Sequence, residues 1–395
     1  MSEYLPIVNS YPPYELNDII KNKNIDTINV YLDLKNASTG LFIEEIVEDL
    51  IKTNRYLPKY DTRIFQSIIF FCSMWKSYCN DKGYKCRIFI NTDFGDSCYH
   101  KAIDKDYKKS RKIGSSCIVT EYDVELLELR RKNFDISERI LNLLNDVYLF
   151  YLKFLETDFI PYYLITRKYI NESKTLHVIC SNDKDMYQAL LNDNIIQVFN
   201  VRGNKSVIDR YSSLSTYSKI YKDTPKNKLK YLDYIKNIDP DYISSIMACV
   251  GDSGDDVKGI HRFGAKTAIK LFSNSEEVER FIGTPNEISE RISSGGKFFK
   301  DDITEQEIIT SNGNWTNVYN NNDLVTKAFK LISFECLSRW LEGNNMTEKI
   351  EFRKYIDNIL HKERKITDFS IFWNSINKSL CDICLEKDNF KILFS

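Results

Sequence analysis

The chain has 395 residues, of which 43% are hydrophobic and 28% charged, and its formal net charge at pH 7 is −1. This length exceeds what one hydrophobic core usually covers, so two or more lobes are expected. The nearly balanced charge excludes a uniformly basic nucleic-acid coat protein, and the absence of any apolar run of about 18–20 residues excludes a membrane-spanning protein.

Four short runs rich in β-branched and aromatic residues predict buried strands. They are TINVYLDL (27–34), CRIFINTD (86–93), LHVICSND (176–183) and IIQVFNV (195–201). Between them, apolar residues at helical spacing predict helices at 41–54, 62–80 and 137–155. Strands that alternate with helices indicate an α/β lobe with a mainly parallel sheet.

The rest of the chain is predicted to be helical or irregular. Residues 94–135 are polar and basic, which favours a loop or helical excursion over the sheet edge. Strand patterns fade after about residue 205, and residues 206–290 have helical patterns broken by polar turns. The Gly and Asn runs of 291–322 predict a linker or an irregular loop, and 323–395 returns to helical apolar spacing.

The cysteines and the N-terminus indicate a cytosol-like compartment. The ten cysteines are scattered, many of them through predicted core segments, as is typical of reduced thiols, and the N-terminus lacks the basic-then-apolar layout of a signal peptide. Cys381 and Cys384 form one CxxC pair without a second pair, so a zinc site is not expected there.

Aspartates close three of the predicted strands. Asp33, Asp93 and Asp183 stand at their carboxyl ends, and Asp185 follows two residues after Asp183. A single aspartate at a strand end is usually a turn former or a helix cap. However, ligands of open parallel sheets bind beyond the carboxyl ends of the strands, so these acids are expected to converge on one crevice.

Four further acids extend this set. Glu156 and Asp158 precede a predicted helix with Pro161 in its first turn, and Asp252 and Asp255 precede a loop punctuated by glycine. Carboxylates gathered without a counter-charge repel one another, so a bound divalent cation is expected. Oxygen ligands with hardly any histidine favour Mg²⁺ or Mn²⁺ over zinc.

Two segments concentrate positive charge beside these acids. Residues 100–112 carry Lys101, Lys105, Lys108, Lys109, Arg111 and Lys112 against two aspartates, and 258–270 carries Lys258, Arg262, Lys266 and Lys270 with no acid. The loop-to-helix junction at Lys266 and Thr267 offers backbone N–H groups that suit phosphate. The pattern predicts a protein that grips a nucleic-acid backbone beside a metal site, although a solvated basic surface would look similar.

Three segments together resemble the 5′-nuclease family, which includes flap endonucleases, phage 5′-exonucleases and the 5′-nuclease domain of bacterial DNA polymerase I. SNDKDMYQALL (181–191) is similar to the family's DKDLxQL segment, and GDSGDDVKGIHRFGAKTA (251–268) is similar to GDxSDNxPGxxGIGxKTA. The spacing from Asp93 through Tyr107 and Lys108 to Arg111 also agrees. The resemblance covers about residues 27–275.

This resemblance implies a PIN-like α/β nuclease core with a helical arch, followed by a helix–three-turn–helix module. We therefore divide the chain into an N-terminal extension (1–24), the core (25–205, with the arch at 94–135), the DNA-binding module (206–290) and a C-terminal helical region without an assigned role (291–395). The combination of a nuclease lobe without a polymerase and an Asn-, Lys- and Ile-rich composition favours a phage or viral gene. A cytoplasmic location is expected, in the host cell if the gene is phage-borne.

The resemblance also implies roles for individual residues. The family's metal ligands correspond to Asp33, Asp93, Glu156, Asp158, Asp183, Asp185, Asp252 and Asp255. Lys108 and Arg111 correspond to arch residues that contact the scissile phosphate, and Tyr107 to an aromatic ring that can stack on a nucleotide. Contacts with DNA are expected from His100, Lys101, Lys109, Lys258, Gly259, Arg262, Gly264, Lys266, Thr267 and Lys270.

The chain departs from the family pattern at three positions. His100 stands where an arginine is usual, which weakens one phosphate clamp and makes it sensitive to pH. Phe159 replaces the second of two adjacent aspartates and so removes one outer metal ligand. Arg262 replaces the first glycine of a turn whose backbone often helps to bind a monovalent cation.

The expected activity is metal-dependent hydrolysis of DNA phosphodiesters by a 5′-3′ exonuclease or flap endonuclease, in replication or repair. The resemblance implies two Mg²⁺ ions, for which Mn²⁺ can substitute. It also implies a monomer that acts on DNA with a free 5′ end, a flap or a duplex junction. One alternative is a 5′ nuclease that acts on RNA–DNA hybrids. The other is a catalytically degenerate DNA-binding scaffold, which the three departures motivate.

Overall fold

The computed structural model describes residues 12–13, 15–21, 23–34, 63–93, 97–109, 134–135, 137–152, 155–170, 173–201, 204–343, 347–361 and 370. The predicted helix at 41–54, the arch residues 110–133, and Cys381 with Cys384 lie outside this set. Among the described residues, no helix combines the length and apolar character needed to cross a bilayer.

A six-stranded sheet forms the centre of the fold, with the strand order β3-β2-β1-β4-β5-β6. Its strands are β1 (Thr27–Asp33), β2 (Lys85–Asp93), β3 (Val147–Leu152), β4 (Thr175–Cys180), β5 (Ile195–Val201) and β6 (Asn204–Ile208). All neighbours are parallel except β5 and β6, which pair antiparallel. The predicted α/β architecture with a mainly parallel sheet is confirmed.

The sheet is covered on both faces, which explains why its strands appear as continuous apolar runs. Every residue of β1 and of β4 is buried. One face packs against α1 (Glu15–Lys21) and α2 (Arg63–Asp81), whose Trp75 is fully buried. On the other face, Tyr31 and Phe89 belong to a core that continues into the helices of the second half of the chain.

The predicted helix at 137–155 is wrong beyond its first turns. Residues 137–141 are helical, Asp146 has a positive φ of 57°, and β3 then pairs with β2 with Val147 opposite Ile88. The apolar residues of VYLFYL fit the period of a helix and that of a strand. The tertiary structure selects the strand because β2 supplies an edge with which it can pair. Tyr355 also fixes β3, since its hydroxyl is 2.7 Å from the Tyr151 nitrogen and 3.0 Å from the Tyr151 oxygen.

Two further helices lie between strands of the sheet, and the chain after β6 is mainly helical. The two are α3 (Cys98–Ile103) and α4 (Ile160–Thr166). They are followed by α5 (Arg210–Tyr217), α6 (Pro225–Lys236), α7 (Ile243–Val250), α8 (Ala265–Phe272), α9 (Ser275–Phe281) and α10 (Pro285–Ser293). The C-terminal region contributes α11 (Glu305–Ile309), α12 (Gly313–Asn320), α13 (Asn322–Ile332), α14 (Phe334–Glu342) and α15 (Thr347–His361).

The linker predicted at 291–322 is wrong, because this segment is packed into the core. It contains α11 and α12, and Phe298, Phe299 and Trp315 are all buried. Trp315 contacts the rings of Phe272 and Phe281, which ties the segment to α8 and α9. The boundary expected at 205 also falls inside β6, so the strand pattern extends further than predicted.

Candidate functional site

The carboxyl ends of the central strands place two aspartates at one edge of the sheet. Asp33 is the last residue of β1 and Asp93 the last of β2, and both are buried. Asp33 Oδ2 accepts a hydrogen bond from Ser181 Oγ at 2.8 Å. Ser181 Oγ in turn accepts one from the Asp183 nitrogen at 3.0 Å. Ser181 therefore links the acids that follow β1 and β4.

A short 3₁₀ turn (Lys184–Ala189) carries the next pair of acids. Asp183 caps this turn, and its Oδ1 accepts a hydrogen bond from the Asp185 nitrogen at 3.0 Å. Gln197 of β5 donates to the carbonyl oxygens of Ser181 and Asp183 at 2.8 and 2.9 Å. Ser181 and Gln197 were not among the predicted site residues, because their polar groups act only through contacts that the fold creates.

The loop between α7 and α8 holds Asp252 in a tight backbone pairing. Asp252 and Val257 exchange two backbone hydrogen bonds, both of 2.8 Å. At Gly251, whose φ is 77°, a Cβ atom would lie 2.2 Å from the Gly259 nitrogen, and at Gly259 it would lie 2.0 Å from the Val250 oxygen. Both glycines are therefore required by close backbone packing, which positions the Asp252 side chain.

Three acids from two segments face one another closely enough to share a cation. Ligand oxygens of Asp185, Asp252 and Asp255 all lie within 4.8 Å of one another. Asp185 Oδ1 is buried and has no hydrogen-bond partner among the described residues. Burial raises the pKa of Asp185, and the charges of Asp183, Asp252 and Asp255 raise it further. An orphaned carboxylate oxygen among other acids fits a hard divalent cation.

The remaining acids adjoin this trio. Burial raises the pKa of Asp158, followed by the charges of Asp33, Asp93, Asp183 and Glu156. The pKa of Asp183 is raised mainly by burial, and Asp255 and Asp252 contribute to that rise. Electrostatic interactions thus connect Asp158 with Asp33, Asp93, Asp183 and Glu156, and connect Asp183 with Asp252 and Asp255 of the trio.

Lys108 reaches toward these acids from the turn that follows α3. Its Nζ lies 2.6 Å from Glu156 Oε1 and 3.3 Å from Asp255 Oδ2. Its backbone has a positive φ of 56°, and its nitrogen donates to the Asp255 oxygen at 3.1 Å. Burial lowers the pKa of Lys108, but Glu156 and Asp255 outweigh it and raise that pKa above its ordinary value. The ammonium group therefore stays charged at physiological pH.

The role expected for Tyr107 disagrees with its position. Its side chain is buried, and its hydroxyl lies 3.1 Å from both Glu156 Oε2 and Asp255 Oδ2. Its ring stacks on His100 with centroids 4.5 Å apart, and Lys108 Nζ lies 5.0 Å from the ring centroid. A ring covered in this way cannot also stack on a nucleotide, so Tyr107 positions the acids and Lys108 instead.

His100 is likewise buried. It is 5% exposed, its Nδ1 is 2.7 Å from Ser97 Oγ, and its Nε2 is 3.1 Å from the Leu331 oxygen. Burial lowers the pKa of His100, so the ring is neutral and Nε2 donates to the carbonyl. His100 therefore joins α3 to the end of α13, and its role in binding DNA stays a prediction.

Phe159 is part of the hydrophobic core. Its side chain is 1% exposed and packs against Tyr163 and Phe352. Phe159 therefore serves the hydrophobic core that also receives α15.

The residues predicted to contact DNA differ in how exposed they are. Lys258, Arg262, Gly264 and Lys270 are exposed on the loop and on α8, and Thr267 is half-buried. Gly259 serves the close backbone packing described above. Lys266 forms an ion pair with Asp223.

The side chains of two lysines near Tyr107 contact other residues of the chain. Lys101 Nζ contacts the backbone oxygens of Lys105 and Tyr107, and exposed Lys109 pairs with Asp106 at 3.0 Å. Lys101 therefore supports the turn that carries Lys108. Arg111 lies outside the described residues.

A cavity of about 1130 Å³ borders the acids on one side. Its lining includes Asp252, Lys184, Lys258 and Lys327. Lys184 pairs with Asp252 at 3.0 Å, and Lys327 of α13 pairs with Asp104 at 2.6 Å. The C-terminal region, which had no assigned role, thus forms part of this cavity wall.

Comparisons with known proteins give the fold but no family assignment. No protein-family model and no curated protein sequence matches the chain. Among solved structures, the T5 D15 protein crystallised with metal ions matches with 13% identity and a TM-score of 0.53, over 85% of this chain and 98% of that one.

Two further structures of T5 nucleases match the chain to a similar extent. The bacteriophage T5 D15 flap endonuclease in a pseudo-enzyme-product complex with DNA and metal ions has 14% identity, a TM-score of 0.53 and coverage of 85% and 100%. T5 5′-exonuclease with bound zinc has 15% identity, a TM-score of 0.51 and coverage of 85% and 99%. The chain therefore has the PIN-like α/β fold of the T5 5′-exonuclease.

Proposed function

We propose that the protein is a metal-dependent 5′ nuclease that hydrolyses phosphodiesters of DNA with a free 5′ end, a flap or a duplex junction. The observation that carries this proposal is the facing trio Asp185, Asp252 and Asp255, with Lys108 held between Glu156 and Asp255. The fold shared with T5 nucleases supports it. Roles in replication or repair, such as primer or flap removal, belong to the same proposal.

The acids offer ligands for two Mg²⁺ ions, with Mn²⁺ as a substitute. Asp185, Asp252 and Asp255 would hold one ion, and Asp33, Asp93 and Asp158 would take part in holding the other, with Asp183 between the two groups. Bound there, such ions activate water and neutralise charge on the scissile phosphate.

The chain's own residues supply the rest of the chemistry. Lys108 has a largely shielded ammonium group that is already oriented toward the acids, so it can donate to a phosphate oxygen as charge develops there. Its partners Glu156 and Asp255 share the Tyr107 hydroxyl, which limits how the side chains can reorient. The exposed loop with Lys258, Arg262 and Gly264 would hold duplex by its backbone without reading sequence.

The test is a double substitution, Asp183→Asn with Asp185→Asn, assayed on a 5′-flap duplex in Mg²⁺. We expect cleavage to be abolished. Asp301→Asn with Asp302→Asn, in an exposed turn before α11, removes the same charge and should leave cleavage intact.

Three outcomes separate the candidates. Full cleavage by the Asp183 and Asp185 variant would exclude the metal site. A wild-type protein that binds the flap but does not cleave it in Mg²⁺ or Mn²⁺ would be a DNA-binding scaffold. Faster digestion of an RNA–DNA hybrid than of the DNA flap would shift the preferred substrate to the hybrid.

A further inference from the structure

The helix α6 lies on the surface to an unusual extent. It is 12 residues long and contains no buried residue, and nine of the ten residues from 221 to 230 are exposed. Tyr221 and Leu229 are 58% and 66% exposed. A helix of this length normally buries one apolar stripe, so the composition of its open face calls for an explanation.

Uncompensated positive charge distinguishes this face. We use the term lysine surface for Lys219, Lys222, Lys226, Lys228 and Lys230, all of which are exposed. None of them forms an ion pair with a described residue. The two aspartates between residues 219 and 236 form ion pairs with other lysines: Asp233 with Lys236, and Asp223 with Lys266.

The lysine surface is continuous with the candidate site. Lys266 of α8 pairs with Asp223, and its Nζ lies 5.6 Å from the centroid of the Tyr231 ring on α6. Lys219 lines the same cavity as Lys258 and Asp252. A polyanion lying along the loop before α8 would therefore meet the lysine surface next.

We propose that the lysine surface binds the backbone of a nucleic-acid duplex arm that extends away from the site of cleavage. The proposal deepens the proposed nuclease function and rests on it. A helix of 12 residues is about 18 Å long, and phosphates of one strand are about 3.4 Å apart along the duplex axis. α6 thus spans about five phosphates of one strand, and lysine, a mobile point charge, suits contact without sequence reading.

A lipid surface does not fit the same face. A helix that lies in a membrane interface needs a broad apolar face on its outer side. The apolar residues Tyr231, Tyr234 and Ile235 of α6 instead pack against the protein core, and Leu229 is exposed among lysines. Charge complementarity with a regular row of phosphates is therefore the better match.

The experiment compares the wild-type chain with a triple variant, Lys226→Gln, Lys228→Gln and Lys230→Gln. The control carries Lys85→Gln, Lys174→Gln and Lys354→Gln, which removes the same charge at exposed positions on β2, before β4 and on α15. Binding of a blunt duplex is followed by fluorescence anisotropy between 50 and 200 mM KCl in the presence of chelator, so that no metal-dependent cleavage removes the ligand.

The expected result is a change in salt dependence. Each neutralised phosphate contributes about 0.9 to the slope of log affinity against log salt, so three lysines contribute about 2.7. The fourfold rise in salt should therefore weaken wild-type binding about 40-fold more than it weakens binding by the α6 variant. The control variant should follow the wild type.

Other results would overturn the proposal. They are parallel salt curves for the wild type and the α6 variant, a lysine effect seen with single-stranded DNA but not with duplex, or a lysine effect seen only with phosphatidylserine vesicles. The outcome is independent of cleavage. If the wild type binds duplex through the lysine surface but cleaves nothing, the lysine surface stands and the nuclease proposal fails; if it cleaves a flap and the salt curves are parallel, the reverse holds.

Discussion

Replacing Lys108 with alanine tests whether its ammonium group acts in the transition state or merely holds DNA. Its Nζ is 2.6 Å from Glu156 Oε1, and its side chain is 18% exposed, so the charge is oriented and largely shielded from water. Removing one such preorganised donor from a reacting centre costs about 2.7–4 kcal/mol, or about 100- to 1000-fold in turnover. Losing one phosphate contact lowers the slope of log affinity against log salt by about 0.9, so a rise from 50 to 200 mM salt would weaken binding only about 3.5-fold less in the variant than in the wild type.

The two quantities are measured separately. Single-turnover cleavage of a 5′-labelled flap duplex in Mg²⁺ gives the rate, and fluorescence anisotropy in chelator gives the affinity. Lys105→Ala is the matched control, because Lys105 lies in the same turn and its side chain is exposed. Equal losses of rate and affinity in Lys108→Ala would place the ammonium group outside the transition state and refute the reasoning.

Three further predictions follow from the acidic pocket and its support. Divalent metal should raise the melting temperature of the wild type, by an amount equivalent to about 2.7 kcal/mol at 100 times the Kd, and Asp185→Asn should reduce that shift in a thermal melt. Without metal, the raised pKa values of Asp158, Asp183 and Asp185 mean that the folded state binds more protons than the unfolded chain, so stability should fall as pH rises above about 4. Urea melts at several pH values should show this decline, and saturating Mg²⁺ should flatten it; a metal-free protein that is most stable at alkaline pH would contradict the pocket. His100→Ala should cost about 1–3 kcal/mol in urea unfolding because it leaves the Leu331 oxygen unpaired, whereas exposed His261→Ala should cost less than about 0.5 kcal/mol.

The sheet and the acidic edge could be predicted because both depend on local signals. The strands β1, β2, β4 and β5 are short apolar runs bounded by polar residues, and such runs indicate strands buried on both faces. Parallel strands place their carboxyl ends at one edge, so an aspartate at the end of β1 and another at the end of β2 must be neighbours.

Elements whose signal is ambiguous could not be predicted. VYLFYL is compatible with a helix or a strand, and it forms the strand β3 because it pairs with the edge of β2. The segment 291–322 contains the glycine and asparagine typical of a linker, yet Trp315 draws it into the core because the burial of a large aromatic ring outweighs local turn preference.

The order of amino acids is enough to indicate which side chains can bind a divalent cation and where the basic segments lie along the chain. Which of these side chains face solvent depends on how the whole chain packs. Tyr107, Lys108 and His100 lie within nine residues of one another, but Lys108 reaches the acids whereas His100 is buried beneath the last turn of α13. Burial is a property of the whole packed chain, and the contact with Leu331 joins residues that are 231 positions apart.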